Sequence, residues 1–170
     1  MSVNNANIIE DILSREGGWV DNPADHGGPT NLGITLSTLR TMRPGATVDD
    51  LKSLTKQEAG AIYESEYIIA PGFNVIDHEG LRGMCADAAV NHGPQRATIL
   101  LQRALAVTPD GVFGNATRAA LATAFPRLVL AKMVRERMRF YARIVKGDVA
   151  QVQFLEGWLN RCAEFVELLA

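Results

Sequence analysis

Two carboxylates and one hydroxyl lie close together near the start of the chain, at Glu16, Asp25 and Thr30. They fall within a Gly/Pro-rich stretch, EGGWVDNPADHGGPTNLGIT, which covers residues 16–35. Cleavage of a glycosidic bond needs an acid that protonates the leaving oxygen. The inverting form of the reaction also needs a group that orients a water on the opposite face of the sugar. Side chains of these three types can perform those steps.

Glu16 is the residue best suited to be the acid. It ends a run of apolar residues at helical spacing over 8–13, and Gly17 and Gly18 terminate that helix. A helix C-terminus disfavours negative charge, and the neighbouring ring of Trp19 can exclude water, so both features favour the protonated form. Taken by itself, a Glu before two glycines is more often a solvated helix end.

Asp25 and Thr30 follow on a segment whose residue types favour tight turns. These turns are expected at 21–23 and 27–29, so the segment is predicted to be a short, twisted hairpin. Asp25 on a polar loop should stay ionised, and the Thr30 hydroxyl can donate a hydrogen bond to a water and accept one from it. Asp25 could instead cap a turn through hydrogen bonds to backbone amides.

The stretch over 16–35 resembles the signature of glycoside hydrolase family 108, the bacterial and phage N-acetylmuramidases, in which the Glu of an E-G-G-aromatic motif is the catalytic acid. The spacing of Glu16, Asp25 and Thr30 also resembles the catalytic triad of phage-type lysozymes, although the Thr of that group lies one residue further on. The resemblance implies Glu16 as general acid, with Asp25 and Thr30 positioning the water. It also implies a mainly α, lysozyme-like helical domain with a small β-hairpin next to the active-site cleft.

The remaining sequence is predicted to be helical. Thr47–Asp50 and Thr55–Glu58 each have the pattern of a capping box, in which the first and last side chains satisfy each other's backbone amides. Apolar periodicity and Gly or Pro breaks predict helices over 36–42, 56–68, 81–91, 95–107, 126–146 and from 148 to the C-terminus.

Tyr67 and Asn91 are the candidate substrate-binding residues. A Tyr near a glycan cleft can stack on a sugar or donate a hydrogen bond, although core packing is the commoner role at helical spacing. Asn91 lies in a D-x-x-V-N-x-G run similar to runs in the resembled family. The alternative for Asn91 is a cap at the end of its helix.

Residues 83–118 look like the C-terminal part that these proteins share and that is often described as a predicted peptidoglycan-binding region, and the run over 109–115 is the second distinctive segment of the chain. Its L-Q-x-x-L…D-G-x-F-G-x-x-T pattern resembles peptidoglycan-binding repeats. We expect a turn at Asp110-Gly111, Phe113 in the core and Asn115 capping the next helix. A rigid corner between helices is favoured over direct glycan contact.

The bulk composition is that of a globular protein and excludes some functions. The chain has 170 residues, 47% of them hydrophobic, and a net charge of −2 without a dense basic patch, which argues against nucleic-acid binding. The Arg135–Arg139 run is interpreted as the solvated side of a helix, with some Arg side chains free to meet anionic wall polymer. We expect one domain over 1–170, with a catalytic lobe at 1–80 and a helical lobe at 81–170.

No metal and no organic cofactor are expected. The three histidines, His26, His78 and His92, have no paired spacing and are interpreted as loop or capping residues. Cys85 and Cys162 lie in helical patterns without metal-binding spacing and are interpreted as small buried hydrophobes.

The chain shows no transmembrane stretch, and residues 1–15 lack the features of a signal peptide. We therefore expect synthesis in the cytoplasm, followed by action in the periplasm or cell wall after release by a phage pore or a secretion route. A monomer is expected.

The resemblance implies a peptidoglycan hydrolase that cleaves the β-1,4 bond between N-acetylmuramic acid and N-acetylglucosamine. Two alternatives stay open at this point. A lytic transglycosylase would use Glu16 alone, and a non-catalytic protein would only bind peptidoglycan.

Overall fold

The computed structural model describes residues 3–21 and 28–169, and it shows a chain of helices with one small antiparallel sheet. The predicted mainly α, lysozyme-like fold with a small β-hairpin is confirmed. The α-helices and strands are α1 Asn5–Arg15, β1 Thr30–Asn31, β2 Ile34–Thr35, α2 Leu36–Met42, α3 Val48–Lys52, α4 Lys56–Glu64, α5 Glu79–His92, α6 Pro94–Leu105, α7 Asn115–Thr123, α8 Pro126–Gly147 and α9 Leu155–Glu167.

Short segments of other helix types join several of these elements. A π-helical turn, Ser65–Ile69, continues α4, and the amide of Ala70 donates to the carbonyl of Ser65 five residues back. Two 3₁₀ segments follow, Phe73–Val75 before α5 and Val149–Phe154 before α9.

Both predicted capping boxes are confirmed. The Thr47 hydroxyl accepts from the amide of Asp50, whose carboxylate accepts from the amide of Thr47. Thr55 and Glu58 make the same reciprocal pair at the start of α4. These side chains satisfy amides that a helix leaves unpaired in its first turn, which fixes where α3 and α4 begin.

The hairpin of β1 and β2 reverses at Leu32-Gly33, whereas the turns predicted at 21–23 and 27–29 fall mostly outside the described residues. Leu32 has φ +51° and Gly33 has φ +72°. Positive φ at both central residues is the pattern of the two-residue turn that matches the twist of paired strands. The buried Asn31 side chain donates to the carbonyls of Leu51 and Lys52, at 2.9 and 3.1 Å, and so anchors the hairpin to α3.

Two groups of buried apolar residues form the interior, and α5 belongs to both. The N-terminal core packs α1, the hairpin and α2–α4 against Ala86 of α5. The C-terminal core packs α6, α8 and α9 against the other faces of α5, including Met84 and Ala88. Cys85 and Cys162 are buried free thiols in this second core, as predicted. Every residue of α5 from Gly80 to Ala89 is buried, which its many small side chains allow.

Asp87 is the buried carboxylate of α5, and arginines from other helices surround it. Its Oδ2 lies 2.5 Å from Nη1 of Arg137 on α8, and its Oδ1 lies 2.7 Å from both Nε and Nη2 of Arg161 on α9. Arg15 of α1 adds a longer ion pair to Oδ1, at 3.8 Å. Side chains of α1, α8 and α9 therefore converge on the Asp87 carboxylate of α5.

The interpretation of the Arg135–Arg139 run as a solvated face is wrong for Glu136, which is buried, and for Arg137, whose side chain is 0% exposed. Arg137 occupies a position of α8 that faces α5, where its guanidinium pairs with Asp87 and its Nε donates to the hydroxyl of Tyr141 at 2.9 Å. Its neighbours Arg135 and Arg139 are exposed, as predicted.

The corner between α6 and α7 is held by one buried amide. The Gln102 side chain donates to Asp110, to the carbonyl of Val112 and to the Thr117 hydroxyl, and it accepts from the amide of Gly111. Asp110 also accepts from the amide of Val112 at 2.9 Å, which closes the predicted turn. These contacts favour the role of a rigid corner.

Two other expectations for this corner have different outcomes. Phe113 is half-buried and packs against the C-terminal core, with its ring 5.7 Å from that of Phe73 in an edge-to-face arrangement. Asn115, however, is the first residue inside α7 and not its cap. The N-cap is Gly114, and no side chain caps this helix.

The histidines of the described residues lie at helix ends. The Nδ1 of His78 accepts from the amide of Leu81 at 3.2 Å and caps α5, as predicted. His92 ends the same helix, and its Nε2 lies 3.0 Å from the Tyr141 hydroxyl. His26 lies outside the described residues.

Replacement of Asp87 by Asn should lower the free energy of unfolding by about 3–5 kcal/mol, because the buried Arg137 would keep its charge without a counter-ion. Urea unfolding near neutral pH measures the change. Asp11→Asn, at an exposed position of α1, is the control and should stay within about 0.5 kcal/mol of the native protein.

The Asp87 effect should also depend on pH. Burial alone would raise the pKa of Asp87, but Arg137 and Arg161 outweigh burial and hold this pKa below its ordinary value. The stabilisation is therefore fully present above about pH 3.9, the pKa of Asp in an unfolded chain, and is lost as the pH falls through the lowered pKa. A native–variant difference that stayed constant down to about pH 2 would contradict this account.

Candidate active site

Glu16 lies at the C-terminal end of α1, where the chain leaves the helix with extended backbone angles. Its side chain is half-buried and its carboxyl rests against the hairpin turn. A Cβ built on Gly33 would collide with Glu16 Oε2 and with the hydroxyl of Tyr63, and it would stand 2.9 Å from Glu16 Cδ. The absence of a side chain at Gly33 therefore makes room for the carboxyl of Glu16.

The surroundings of Glu16 favour its protonated form. Burial raises the pKa of this carboxyl above its ordinary value, the charge of Asp87 adds to the rise, and the charge of Arg161 opposes it. The sequence analysis predicted that the ring of Trp19 excludes water from the Glu16 carboxyl. That ring is half-buried against the N-terminal core, with Lys52 Nζ 5.1 Å from its centroid.

Two tyrosines, Tyr63 and Tyr67, lie beside the contact between Glu16 and Gly33. Tyr63 is 1% exposed, and its hydroxyl donates to the carbonyl of Leu32 at 3.0 Å. Tyr67, on the π-helical turn, has its ring 5.6 Å from that of Tyr63 and is half-buried. Burial raises the pKa of both hydroxyls, and the charge of Glu16 raises both further. Tyr63 meets Glu16 at Gly33, and the predicted Tyr67 packs against Tyr63.

Thr30 is fixed through its backbone. Its amide and carbonyl both pair with Val20 at 2.8 Å, and its strand partner across the hairpin is Thr35. These bonds place Thr30 beside Val20, which is four residues after Glu16 in the sequence. The Thr30 side chain is half-buried. Asp25 lies outside the described residues, and its role stays a prediction.

Asn91 lies in the last turn of α5 with an exposed side chain. Its Nδ2 donates to the carbonyl of Asp87, four residues earlier, at 2.7 Å. This bond within its own helix corresponds to the helix-end role that the sequence left open. A role of Asn91 in substrate binding stays a prediction.

Sequence reasoning missed Gly33, Tyr63 and Arg161 as residues of this site. The four-residue spacing of Tyr63 and Tyr67 placed both on one helix face and was the available signal for Tyr63. For Arg161 the signal was its place next to the buried Cys162 in the apolar stripe of α9. Nothing in the local sequence indicates that Gly33 faces Glu16.

Within the described ranges, no group of three or more His, Cys, Asp or Glu side chains is arranged to hold a metal ion. None of the helices in these ranges is long and apolar enough to cross a membrane.

Two family models match the chain in succession. The model of Glycosyl hydrolase 108 matches residues 9–93, and a model described as Predicted Peptidoglycan domain matches residues 96–163. The first match includes Glu16 and Asp87, and the second includes Arg137 and Arg161. The chain matches no curated protein.

A solved structure with the same arrangement is that of SagA from Brucella abortus. It is 31% identical to this chain, and the two superpose with a TM-score of 0.79 over 96% of this chain and 92% of SagA. The similarity thus spans the catalytic part and the helices that follow it. The protein is a glycoside hydrolase and belongs to the glycosyl hydrolase 108 family.

Proposed function

We propose that this glycoside hydrolase is an N-acetylmuramidase, which cleaves the β-1,4 bond between N-acetylmuramic acid and N-acetylglucosamine in peptidoglycan. The two family matches together support a peptidoglycan hydrolase. The observation that carries the finer proposal is the half-buried Glu16 at a helix end, held against Gly33 and Tyr63 with a raised pKa. A wall substrate lies beyond the cytoplasmic membrane, so the proposal includes export by a phage pore or a secretion route.

In the proposed reaction, the Glu16 carboxyl donates its proton to the oxygen that bridges the two sugars. The bond from that oxygen to C1 of N-acetylmuramic acid breaks as a water attacks C1 from the opposite face. Asp25 accepts the proton that this water releases, with Thr30 holding the water by a hydrogen bond. One water is consumed, and solvent returns the proton from Asp25 to Glu16.

Burial suits Glu16 to its part of the reaction. A carboxyl with an ordinary pKa is almost fully ionised near neutral pH and has no proton to give. Loss of hydration at Glu16 keeps a larger fraction protonated, which is the way that enzymes adapt a carboxyl to act as an acid. Tyr67 and Asn91 are proposed to contact the glycan.

Replacement of Glu16 by Gln should reduce the turnover of purified peptidoglycan at least about 100-fold, because the amide keeps the shape of the side chain but cannot donate a proton as a general acid. Release of soluble muropeptides measures the rate. Glu10→Gln, at an exposed position of the same helix, removes the same charge and should keep native activity. Equal activity in the native protein and in Glu16→Gln would remove Glu16 from the mechanism.

The products of the same digests identify the reaction. Hydrolysis leaves a free reducing end on N-acetylmuramic acid, whereas a lytic transglycosylase forms a cyclic anhydro end without consuming water. We expect reducing ends with the mass of one added water. Anhydro ends would overturn the hydrolase proposal and would make Asp25 and Thr30 dispensable.

Replacement of Gly33 by Ala should lower kcat by at least about tenfold, because the added methyl group would displace the Glu16 carboxyl and the Tyr63 hydroxyl. Steady-state kinetics on soluble glycan fragments measures the loss. The position also has φ +72°, so strain at a left-handed residue is expected as well.

Gly45→Ala is the matched control for this strain. Gly45 has φ +85°, and a Cβ built there has nothing within 4 Å. Both variants should lose about 1 kcal/mol or more of stability, but only Gly33→Ala should lose activity. A similar fall in kcat for both would show that the contact with Glu16 is unimportant.

A further inference from the structure

Five aromatic rings form a continuous row at the edge of the C-terminal core. Neighbouring ring centroids in this aromatic row lie 4.9 to 6.0 Å apart, in the order Phe140, His92, Tyr141, Trp158 and Phe154. The guanidinium of Arg96 on α6 extends the row past Phe140, with its Cζ 5.2 Å from the centroid of that ring. The row therefore joins side chains of α5, α6, α8, α9 and the 3₁₀ segment before α9.

Most of the aromatic row keeps contact with solvent. Tyr141 is 0% exposed and belongs to the core, but Phe154 is 49% exposed. His92, Phe140 and Trp158 are half-buried. Rings whose only role was to fill the core would be covered on all sides, so the row is also a surface.

The buried ion pair of Asp87 fixes the middle of the row. Nε of Arg137 donates to the Tyr141 hydroxyl at 2.9 Å, and this hydroxyl lies 3.0 Å from Nε2 of His92. Since the hydroxyl accepts from Arg137, its own proton is available to Nε2. Burial lowers the pKa of His92 to about 4, so its ring is neutral near neutral pH. A surface ordered in advance loses little entropy when a ligand binds to it.

The row lies about one helical turn from Asp87 on each of two helices. Tyr141 follows Arg137 by four residues on α8, and Trp158 precedes Arg161 by three residues on α9. Both arginines pair with Asp87. One turn of α-helix is about 5.4 Å long, so the row is close to the layer of charges around Asp87.

That layer also borders the candidate active site. Arg15, the residue before Glu16, lies 3.8 Å from Asp87 Oδ1. The exposed Asn91, which is proposed above to contact the glycan, directly precedes His92 of the row. A polymer that passes Glu16 and Asn91 can therefore continue onto the aromatic row.

The chemistry of the row suits a sugar polymer that carries carboxylates. The faces of sugar rings present C–H groups, which pack on the electron-rich faces of aromatic rings. Arg96 is exposed, and among the residues that the structure describes it takes part in no ion pair. A guanidinium of this kind can bind a carboxylate through two parallel hydrogen bonds. Peptidoglycan offers both groups, because its sugars bear acidic stem peptides.

We propose that the aromatic row is an accessory subsite for peptidoglycan, in which sugars stack on the exposed rings and Arg96 pairs with a carboxylate of a stem peptide. The proposal rests on the proposed function and extends it to a surface outside the candidate active site. All residues of the row except His92 lie in the region matched by the Predicted Peptidoglycan domain. The subsite holds a strand that Glu16 cleaves elsewhere along its length.

Sedimentation with purified insoluble peptidoglycan tests the subsite in full-length Glu16→Gln, which retains the substrate without cleaving it. Adding Phe154→Ala should weaken binding about three- to tenfold through the loss of one stacking ring. Adding Arg96→Gln should weaken it about two- to fivefold. In about 1 M salt, where charges are screened beyond about 3 Å, the effect of Arg96→Gln should disappear and that of Phe154→Ala should remain.

The chain offers a matched control for each variant. Phe125 is 79% exposed and lies in the same matched region but outside the row, so Phe125→Ala should bind as the parent does. Arg103 is an exposed arginine of α6, and Arg103→Gln removes the same charge as Arg96→Gln. Equal losses in a variant and its control overturn the proposal.

Tryptophan fluorescence gives a readout that a purely structural role would not move. The chain has two tryptophans, so Trp19→Phe in the Glu16→Gln protein leaves Trp158 as the emitter. Soluble glycan oligomers with stem peptides should change this emission in a saturable way, and Phe154→Ala should move the curve to higher concentration. Unchanged emission while the oligomers bind overturns the proposal, and this test and Arg96→Gln decide it even if Phe154→Ala does not fold.

The subsite and the proposed function can fail separately. If the row variants weaken binding as expected but the native protein releases no muropeptides, the proposed function fails and the subsite stands. If the native protein is active and the row variants bind peptidoglycan as tightly as their controls, the subsite fails and the proposed function stands.

Discussion

The structure depends on the neutralisation of one buried charge. Asp87 lies in the middle of α5, where every neighbour from Gly80 to Ala89 is also buried. A carboxylate in such a place is very unfavourable unless cations and hydrogen bonds compensate it. Arg137 and Arg161 provide the compensation, and both must be brought in by helices that lie far along the sequence. The docking of α8 and α9 is therefore tied to α5 by electrostatics as well as by apolar packing.

This arrangement joins the two matched regions at the level of single residues. α5 belongs to the region matched by Glycosyl hydrolase 108, while the arginines belong to the region matched by Predicted Peptidoglycan domain. The small side chains of α5 let helices of both regions approach closely, so one helix contributes to both cores. The acid at Glu16 is held against the hairpin turn, and the charge of Arg161, a residue of the second region, opposes the rise of its pKa.

Local signals predicted the parts of the fold that local interactions determine. The capping boxes at Thr47 and Thr55 are contacts within four consecutive residues, so the sequence predicted where α3 and α4 begin. The apolar repeats predicted most of the other helices, with small errors at their ends. Arg137 could not be placed in this way, because residue type indicated solvent while its position, four residues from Met133 and from Tyr141, was that of the buried stripe. The role of Gly33 could not be predicted either, because it depends on a contact with Glu16, seventeen residues away, which forms only in the folded hairpin. The motif thus indicated the acid, but not the groups that surround it.

The π-helical turn at Ser65–Ile69 has a consequence for how this protein can vary in length. A turn of this kind holds about one residue more than an α-helical turn, and such widened turns are frequent at functional sites. Deleting one residue there would restore regular α geometry and leave the segments on either side nearly in phase, because the widened turn is what accommodates the extra residue. Tyr67 lies inside the turn, so the direction of its ring beside the acid would change even though the rest of the fold was kept. At this point of the chain, the number of residues is itself a functional constraint.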